Sequence, residues 1–266
     1  MTALISSLLA AAFYLGGTLY QIRCLTRRRS ANPGLLRGIG AIALVAHAVS
    51  LYVELFTGSG LSFGFFHVSS LIAWLVLAVT LVFSLSAPVT SLLIVLFPLA
   101  LITDLLSWAF PGHGAATVPG QSAVLVHVLL SILAYGILTI AAFQAALLAV
   151  QNNQLKHRNP VRFNRTFPPL QTMEALLFQF LLCGEVLLTL ALISGFVFLD
   201  NMFAQNVAHK TLLSCLAWVV FGILLWGRHF RGWRSSFAIR WTLGGFLLLM
   251  LAFFGSKLVS EFILPM

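Results

Sequence analysis

Long apolar stretches separated by short polar ones run along the whole chain. About 20 consecutive apolar residues are enough to cross the hydrocarbon core of a bilayer as an α-helix. Eight stretches have about this length, and they cover residues 1–20, 38–56, 65–86, 89–110, 122–150, 171–199, 210–227 and 238–260. The pattern therefore predicts an all-α fold, a polytopic bundle of eight transmembrane helices.

Two prolines shape the middle of this pattern. Pro88 separates the third apolar stretch from the fourth, so we expect these two helices to form a tight hairpin. Pro98 lies inside the fourth stretch, where it removes a backbone donor and is expected to kink the helix. The polar segments between the other helices predict outer loops at 57–64, 111–121 and 200–209 and a long inner loop at 151–170.

The composition supports a membrane protein and excludes several other classes. Hydrophobic residues make up 60% of the chain and charged residues only 8%, with a mean hydropathy of +1.02. A soluble domain has about 25% charged residues, so this chain cannot cover a water-facing surface. We therefore predict a single integral-membrane domain over residues 1–266, with the lipid bilayer as its main partner and no large soluble catalytic domain.

The net charge of +9 comes from basic residues that are concentrated at one side of the predicted bundle. Thirteen of the 15 lysines and arginines fall in three segments that eight helices place on the same side: Arg23, Arg27, Arg28, Arg29, Arg37, Lys156, Arg158, Arg162, Arg165, Arg228, Arg231, Arg234 and Arg240. Only Lys210 and Lys257 fall on the other side. The positive-inside rule then predicts that both termini lie on the outer, periplasmic side of a bacterial inner membrane. Because no segment is long enough to form a folded basic face, we predict no nucleic-acid partner.

Cysteine usage excludes two redox classes. The three cysteines, Cys24, Cys183 and Cys215, are far apart in the sequence and form neither C-x-x-C nor C-x-x-C-H. The chain is therefore neither a c-type cytochrome nor a thioredoxin-like reductant. We expect all three to be free thiols that pack as small apolar side chains.

Histidines within or at the ends of the predicted helices are the candidate cofactor ligands. His47 lies near the middle of the second helix, His127 near the outer end of the fifth, and His209 and His229 at the outer start and inner end of the seventh. Neutral imidazole suits haem iron or another transition metal. By depth, His127 could share a cofactor with His209 or with His113 of an outer loop. The alternative for each histidine is a hydrogen-bonded packing residue without a ligand.

Two polar residues follow His127 at helical spacing. Ser131 and Tyr135 lie four and eight residues further on, so the three side chains share one helix face. We predict that this polar stripe orients the second ring nitrogen of His127, as residues around a metal ligand often do. The alternative is a line of hydrogen bonds between helices.

Two isolated carboxyl groups also fall at membrane depth. Asp104 lies in the fourth helix and Glu185 in the sixth. Ionisable groups in a bilayer are costly and are functional candidates by default. Together with His47 they support an alternative function, an accessory or transport protein for divalent cations or a small solute. A purely structural membrane partner is a third interpretation.

Three sequence stretches carry a resemblance to a known family. They are LVAHAVSLYVE around His47, VHVLLSILAYGIL around His127 and HKTLLSCLAWVVFGILLWGRHFRGWR at residues 209–234. In these motifs the chain resembles the integral-membrane cytochrome c assembly family (CcsA/ResC-like), and within it the shorter YpjD-like branch. The resemblance implies haem as a cofactor, His47 as a haem ligand within the membrane and His127 as an outer haem ligand.

The chain departs from the larger members of this family at three places. The tryptophan-rich WWD segment is missing, and the stretch DNMFAQNVAHK stands there with His209 as its candidate ligand. A second outer histidine after the last helix is missing too. The histidine expected in the seventh helix aligns with Trp226, and His229 follows three residues later. We therefore predict a protein that binds or passes haem, with other membrane proteins as possible partners and no enzymatic activity beyond a part in haem attachment to cytochrome c.

Overall fold

The helices of this protein confirm the predicted all-α membrane fold. The computed structural model describes residues 2–27, 29–57, 60–61, 64–110, 122–156, 168–198, 208–234 and 236–255. Within them, eight helices are long and apolar enough to cross a membrane. Their α-helical parts are α1 (Thr2–Thr26), α2 (Pro33–Leu55), α3 (Phe65–Phe83), α4 (Leu93–Ala109), α5 (Ser122–Lys156), α6 (Leu170–Phe198), α7 (Ala208–Arg231) and α8 (Ser236–Met250). Short turns extend the fourth and eighth spans to Thr90–Ala109 and Ser236–Gly255. The orientation of the termini across the membrane stays a prediction.

Short elements complete the described part of the chain. Two-residue strands, β1 (Phe56–Thr57) and β2 (Gly60–Leu61), pair antiparallel directly after α2. A 3₁₀ turn (Thr90–Leu92) precedes α4, and a π-helical turn (Leu251–Gly255) extends α8. Most of the predicted loops at 111–121, 151–170 and 200–209 lie outside the described residues.

Local chemistry explains where the second helix begins. Hydropathy placed its start at residue 38, but α2 begins five residues earlier, at Pro33. The Asn32 side chain accepts hydrogen bonds from the backbone N–H groups of Gly34 and Leu35, and Pro33 occupies the first helical turn, where its missing N–H costs nothing. The cap, rather than the apolar pattern, therefore sets this boundary.

Helices α1 to α4 belong to one compact unit, which comprises Met1–Thr117 and Gln154–Pro169. In it α1 packs against α2 and α4, and α3 packs against the same two helices. Tyr14 of α1 and Phe97 of α4 are fully buried, with their ring centroids 5.9 Å apart. Near the start of α2, the Arg37 guanidinium donates to the hydroxyl and the carbonyl oxygen of Ser84. Its positive charge there offsets the partial negative charge at the C-terminal end of α3.

A glycine makes the close contact between α1 and α4 possible. A Cβ atom added at Gly17 would lie 2.6 Å from the Phe97 ring, whereas one added at Gly16 would meet nothing within 4 Å. We expect Gly17→Val to lower the free energy of unfolding by about 1–3 kcal/mol, because the buried ring has no room to move. The measurement is denaturant unfolding of the purified protein in detergent. Gly16→Val is the matched control, and equal destabilisation by both variants would contradict this packing.

Helices α5 to α8 belong to a second compact unit, which comprises Val118–Asn153 and Leu170–Met266. Side-chain hydrogen bonds show that α5, α6 and α7 alternate in direction. Near its start α6 accepts at the Met173 carbonyl from Gln144 in the second half of α5, and near its end the Ala191 carbonyl lies 3.0 Å from His127 near the start of α5. Likewise Thr189 in the second half of α6 accepts from Trp218 in the first half of α7, and Glu174 near the start of α6 pairs with Arg228 near the end of α7. The first half of α5, the second half of α6 and the first half of α7 therefore lie at the same end of this unit.

The surface of both units is that of a lipid-exposed protein. Many large apolar side chains of the spanning helices are exposed, among them Ile5, Val82, Leu129, Val197 and Leu212. A water-soluble protein would rarely expose so much contiguous apolar surface, whereas hydrocarbon chains solvate it well. Polar groups are instead concentrated in the interior of the helix packing, where the candidate sites lie.

Candidate functional site

His47 lies in the interior of the first unit with both ring nitrogens engaged. Its side chain has no exposed surface. Nδ1 is 3.0 Å from the Tyr14 hydroxyl of α1, and Nε2 is 2.8 Å from the Ser70 hydroxyl of α3. Nε2 is also 3.6 Å from Oδ1 of Asp104, which belongs to α4. Side chains from all four helices therefore meet at this imidazole.

A second group of polar side chains lies one helical turn away from His47 and Asp104. Glu54 is the penultimate residue of α2 and is half-buried. One of its carboxyl oxygens accepts a hydrogen bond from Ser50 at 2.9 Å, and the other accepts one from Ser107 of α4. Ser50 follows His47 by three residues, and Ser107 follows Asp104 by three, so both serines are next-turn neighbours of the buried pair.

His127 in the second unit has a different arrangement. Its Nδ1 is 3.0 Å from the Ala191 carbonyl oxygen and 3.1 Å from the Ser194 hydroxyl, both in α6. A carbonyl oxygen can only accept, so Nδ1 carries the proton and the Nε2 atom keeps its lone pair. Nε2 has no hydrogen-bond partner among the described residues, and the side chain is partly exposed. The ring is thus fixed in the tautomer that a metal ligand requires.

The predicted polar stripe along α5 does not orient His127, so this prediction was wrong. Ser131 donates to the backbone carbonyl of His127 at 2.8 Å rather than to its imidazole. The Tyr135 hydroxyl contacts the sulfur of Met250 at 2.7 Å. A serine hydroxyl reaches the carbonyl oxygen of the preceding helical turn more easily than a ring that points towards the neighbouring helix. The orienting groups come from α6 instead.

The two α7 histidines lie at opposite ends of the second unit. His209 is exposed at the start of the helix, at the same end of the unit as His127. His229 is exposed near its end, next to Arg228, whose guanidinium pairs with Glu174 at 2.6 Å. Because α6 and α7 are antiparallel, His229 lies beside the start of α6, whereas His127 lies beside its end. These two positions are roughly 25 Å apart along the helix axis at 1.5 Å per residue. His209, and not His229, is therefore at the end of the unit where α5 begins.

Glu185 of α6 faces α7 and has no cationic partner among the described residues. The residue is 9% exposed, and its Oε2 atom is buried with no hydrogen-bond partner. It faces Gly222, where an added Cβ atom would lie 3.5 Å from Oε1. His47 and Asp104 belong to the first unit, so the three residues of the predicted cation path do not all belong to one described cluster. Across the described residues, no three His, Cys, Asp or Glu side chains form a group that could hold a metal ion.

With this geometry in view, comparison with known proteins identifies the family. The family model described as cytochrome C assembly protein matches residues 35–264, which is most of the chain. The chain belongs to the cytochrome c assembly protein family. The match runs through both compact units and includes His47, His127, His209 and His229. A haem-related function in the membrane follows from this membership.

Individual relatives point to the same family and to its location. The inner membrane protein YpjD of Escherichia coli K12 is 33% identical over 243 residues, which are 87% of this chain and 92% of the relative. An uncharacterised 28.8 kDa protein of Azospirillum brasilense is 33% identical over 52% of each chain. Protein HemX of Brevibacillus brevis is 24% identical over 54% of each chain. No solved structure matches the chain. This member of the cytochrome c assembly family is a multi-pass protein of the inner membrane.

The family implies haem, and the two histidine sites differ in how well they fit it. At His127 the orienting hydrogen bond is in place, the Nε2 lone pair is free of protein partners among the described residues, and the side chain has exposed surface. At His47 both nitrogens already have hydroxyl partners and the ring has no exposed surface. The His127 site therefore fits a haem ligand, and the His47 site as the structure describes it does not.

The buried carboxyl group of Glu185 gives a prediction about the stability of this cytochrome c assembly protein. We expect Glu185→Leu to raise the free energy of unfolding by about 1–3 kcal/mol, because it removes a buried polar atom that has no partner. Glu174→Leu is the matched control and should destabilise, since it breaks the ion pair with Arg228. Both are measured by denaturant unfolding in detergent. A loss of stability in Glu185→Leu would mean that this carboxyl group has a stabilising partner.

Proposed function

We propose that this protein binds haem at the end of its second unit where α5 begins, with Nε2 of His127 as an iron ligand. The observation that carries the proposal is the hydrogen bond from Nδ1 of His127 to the Ala191 carbonyl oxygen, 3.0 Å long. It fixes the ring orientation and the tautomer before a ligand arrives, which lowers the cost of binding. Membership of the cytochrome c assembly family supports haem as the ligand.

His209 is the second ligand that we propose for the same haem. It lies at the start of α7, at the same end of the unit as His127, and it is exposed. The imidazoles of His127 and His209 would then both hold the haem iron. His229 is at the other end of α7, so a role for it would require a separate haem.

The protein's own contribution to haem handling is binding and orientation. Bound haem would supply an iron centre that can change between ferric and ferrous states. The Ala191 carbonyl and the Ser194 hydroxyl hold the imidazole of His127, and the apolar helix surface nearby suits a porphyrin ring. We further propose that both units act as one domain, residues 1–266, because the family model runs through both.

An absorption spectrum of the purified full-length protein tests this function. The protein is isolated in detergent, supplemented with haemin, passed through a desalting column and measured oxidised and reduced. We expect about one haem per chain with the low-spin bands of bis-imidazole coordination. Protein that emerges without haem absorbance, while it remains folded by circular dichroism, would overturn the proposal.

A further inference from the structure

The interior of the first unit contains a line of polar side chains that the proposed haem site does not use. It consists of eight residues from all four helices: Ser7, Tyr14, His47, Ser50, Glu54, Ser70, Asp104 and Ser107. Except for Glu54, each of them lies buried in the helix packing. Polar groups at membrane depth are costly, so eight of them in one place require a physical explanation.

The line consists of two hydrogen-bonded groups, one around His47 and Asp104 in the buried centre of the unit and one around Glu54 near the end of α2. Glu54 is the penultimate residue of α2 and is half-buried, so its carboxyl group is the point nearest to water. Ser50 and Ser107 bond to its two oxygens, and one turn further in lie His47 and Asp104. One helical turn is about 5.4 Å, a step that rotation of a serine hydroxyl or one water molecule can bridge.

One of the two carboxyl oxygens of Asp104 has no hydrogen-bond partner among the described residues. Its Oδ2 atom accepts a hydrogen bond from Ser7 at 2.8 Å. Its Oδ1 atom is buried with no hydrogen-bond partner and lies 3.6 Å from Nε2 of His47. The residue has no exposed surface. An ionised carboxyl group in such a place would be an uncompensated buried charge.

The surrounding sequence offers no fixed cation to neutralise Asp104. Residues 2–22 and 38–109, which include the interior faces of α1 to α4, contain no lysine or arginine. The described residues include no group of three His, Cys, Asp or Glu that could hold a metal ion. A proton neutralises a carboxyl group without any further ligand, and the adjacent imidazole and hydroxyl groups are the donors and acceptors that transfer protons.

We propose that the first unit contains a proton-binding site at Asp104 and His47, and that this site exchanges its proton with water through Glu54. The proton resides on Oδ1 of Asp104 as a carboxylic acid facing His47. In exchange, Glu54 takes a proton from water and passes it by way of the Ser107 or Ser50 hydroxyl. Each hydroxyl gives up its own proton as it accepts another, so no charge stays behind on a serine.

The titratable residues around this site are few and can be named. They are Tyr14 of α1, Glu54 on the same helix as His47, the buried His67 of α3 and Asp104 of α4. The site shares no residue with the proposed haem site at His127, which belongs to the second unit. It also differs from the role that the family resemblance implies for His47, since both ring nitrogens serve the hydrogen-bonded line.

Isotope-edited infrared spectroscopy of the full-length protein tests the proposal, because the chain has only two aspartates, Asp104 and Asp200. The protein is labelled with aspartate carrying ¹³C in its side-chain carboxyl group and placed in lipid bilayers at neutral pH. We expect a labelled carboxylic acid band that persists in Asp200→Asn and disappears in Asp104→Asn. If Asp104→Asn does not fold, the assignment stands on Asp200→Asn alone.

The route through Glu54 is tested by the rate at which this band shifts after transfer to D₂O. We expect Glu54→Gln to slow the shift by about 10²-fold, the contribution of a positioned proton carrier. Glu174→Gln is the matched control in the other unit and should exchange at the normal rate. Ser107→Ala replaces Glu54→Gln if that variant does not fold. A labelled carboxylate band alone, or equal exchange in Glu54→Gln and the control, would overturn the proposal.

Discussion

Replacing His127 with alanine is expected to abolish haem binding by the purified protein. The imidazole is the side chain for which the structure provides both an orienting acceptor and a free ring nitrogen among the described residues. Without it, the proposed second ligand, His209, would have to hold the iron alone at an exposed helix end. The measurement is haem absorbance per mole of protein after desalting, in parallel with the unaltered chain.

Two further variants decide whether this loss has the proposed cause. Ser194→Ala removes a hydroxyl 3.1 Å from Nδ1 and should weaken haem binding by about tenfold, as is typical for residues that orient a metal ligand. His229→Ala is the matched histidine control, because it lies at the other end of the unit, and it should retain haem. Full haem content in His127→Ala, or an equal loss in His229→Ala, would contradict the proposed site.

The eight helices could be predicted from sequence because crossing a bilayer imposes a length and a composition on every span. The predicted start of α2 was nevertheless five residues late, since a capping asparagine and a proline continue the helix beyond its apolar core. Hydropathy detects the part of a helix that lies in hydrocarbon, whereas caps in the interface depend on hydrogen bonds. A helix start of this kind can therefore be predicted only when the capping residue is identified in the sequence.

The site histidines could also be found in the sequence, but their partners could not. Spacing along α5 made Ser131 one candidate partner of the His127 imidazole, while the actual acceptor is a backbone carbonyl of α6, 64 residues away. Backbone carbonyls carry no sequence signal at all. Ser194 had only the weak signal of one polar residue near the end of an apolar helix.

The same reasoning applies to His47, which the sequence predicts as a haem ligand. A histidine in the middle of a spanning helix has the same sequence signature whether it binds a metal or hydroxyl groups. Tyr14 and Ser70 are 33 residues before it and 23 after it, on α1 and α3. Only the packing of four helices brings these groups together, and it places a hydroxyl at each ring nitrogen.

Replacing His47 with alanine is expected to destabilise the protein without removing haem from its folded fraction. The variant removes hydrogen bonds to Tyr14 and Ser70, leaves Asp104 without its neighbour and opens a cavity at a fully buried position. Each stranded polar group adds a desolvation penalty, so we expect the free energy of unfolding to fall by about 3 kcal/mol. Denaturant unfolding in detergent measures this change, and His229→Ala, the same substitution at an exposed residue, should change it by less than about 0.5 kcal/mol.

Haem content then separates a structural role of His47 from the ligand role implied by the family resemblance. The folded fraction of His47→Ala, isolated by size-exclusion chromatography, should bind as much haem per chain as the unaltered protein, because the proposed haem ligands belong to the second unit. A folded His47→Ala protein that has lost its haem would make His47 an iron ligand. The hydrogen bonds to Tyr14 and Ser70 would then have to break on haem binding, and the proton site at Asp104 would lose its acceptor.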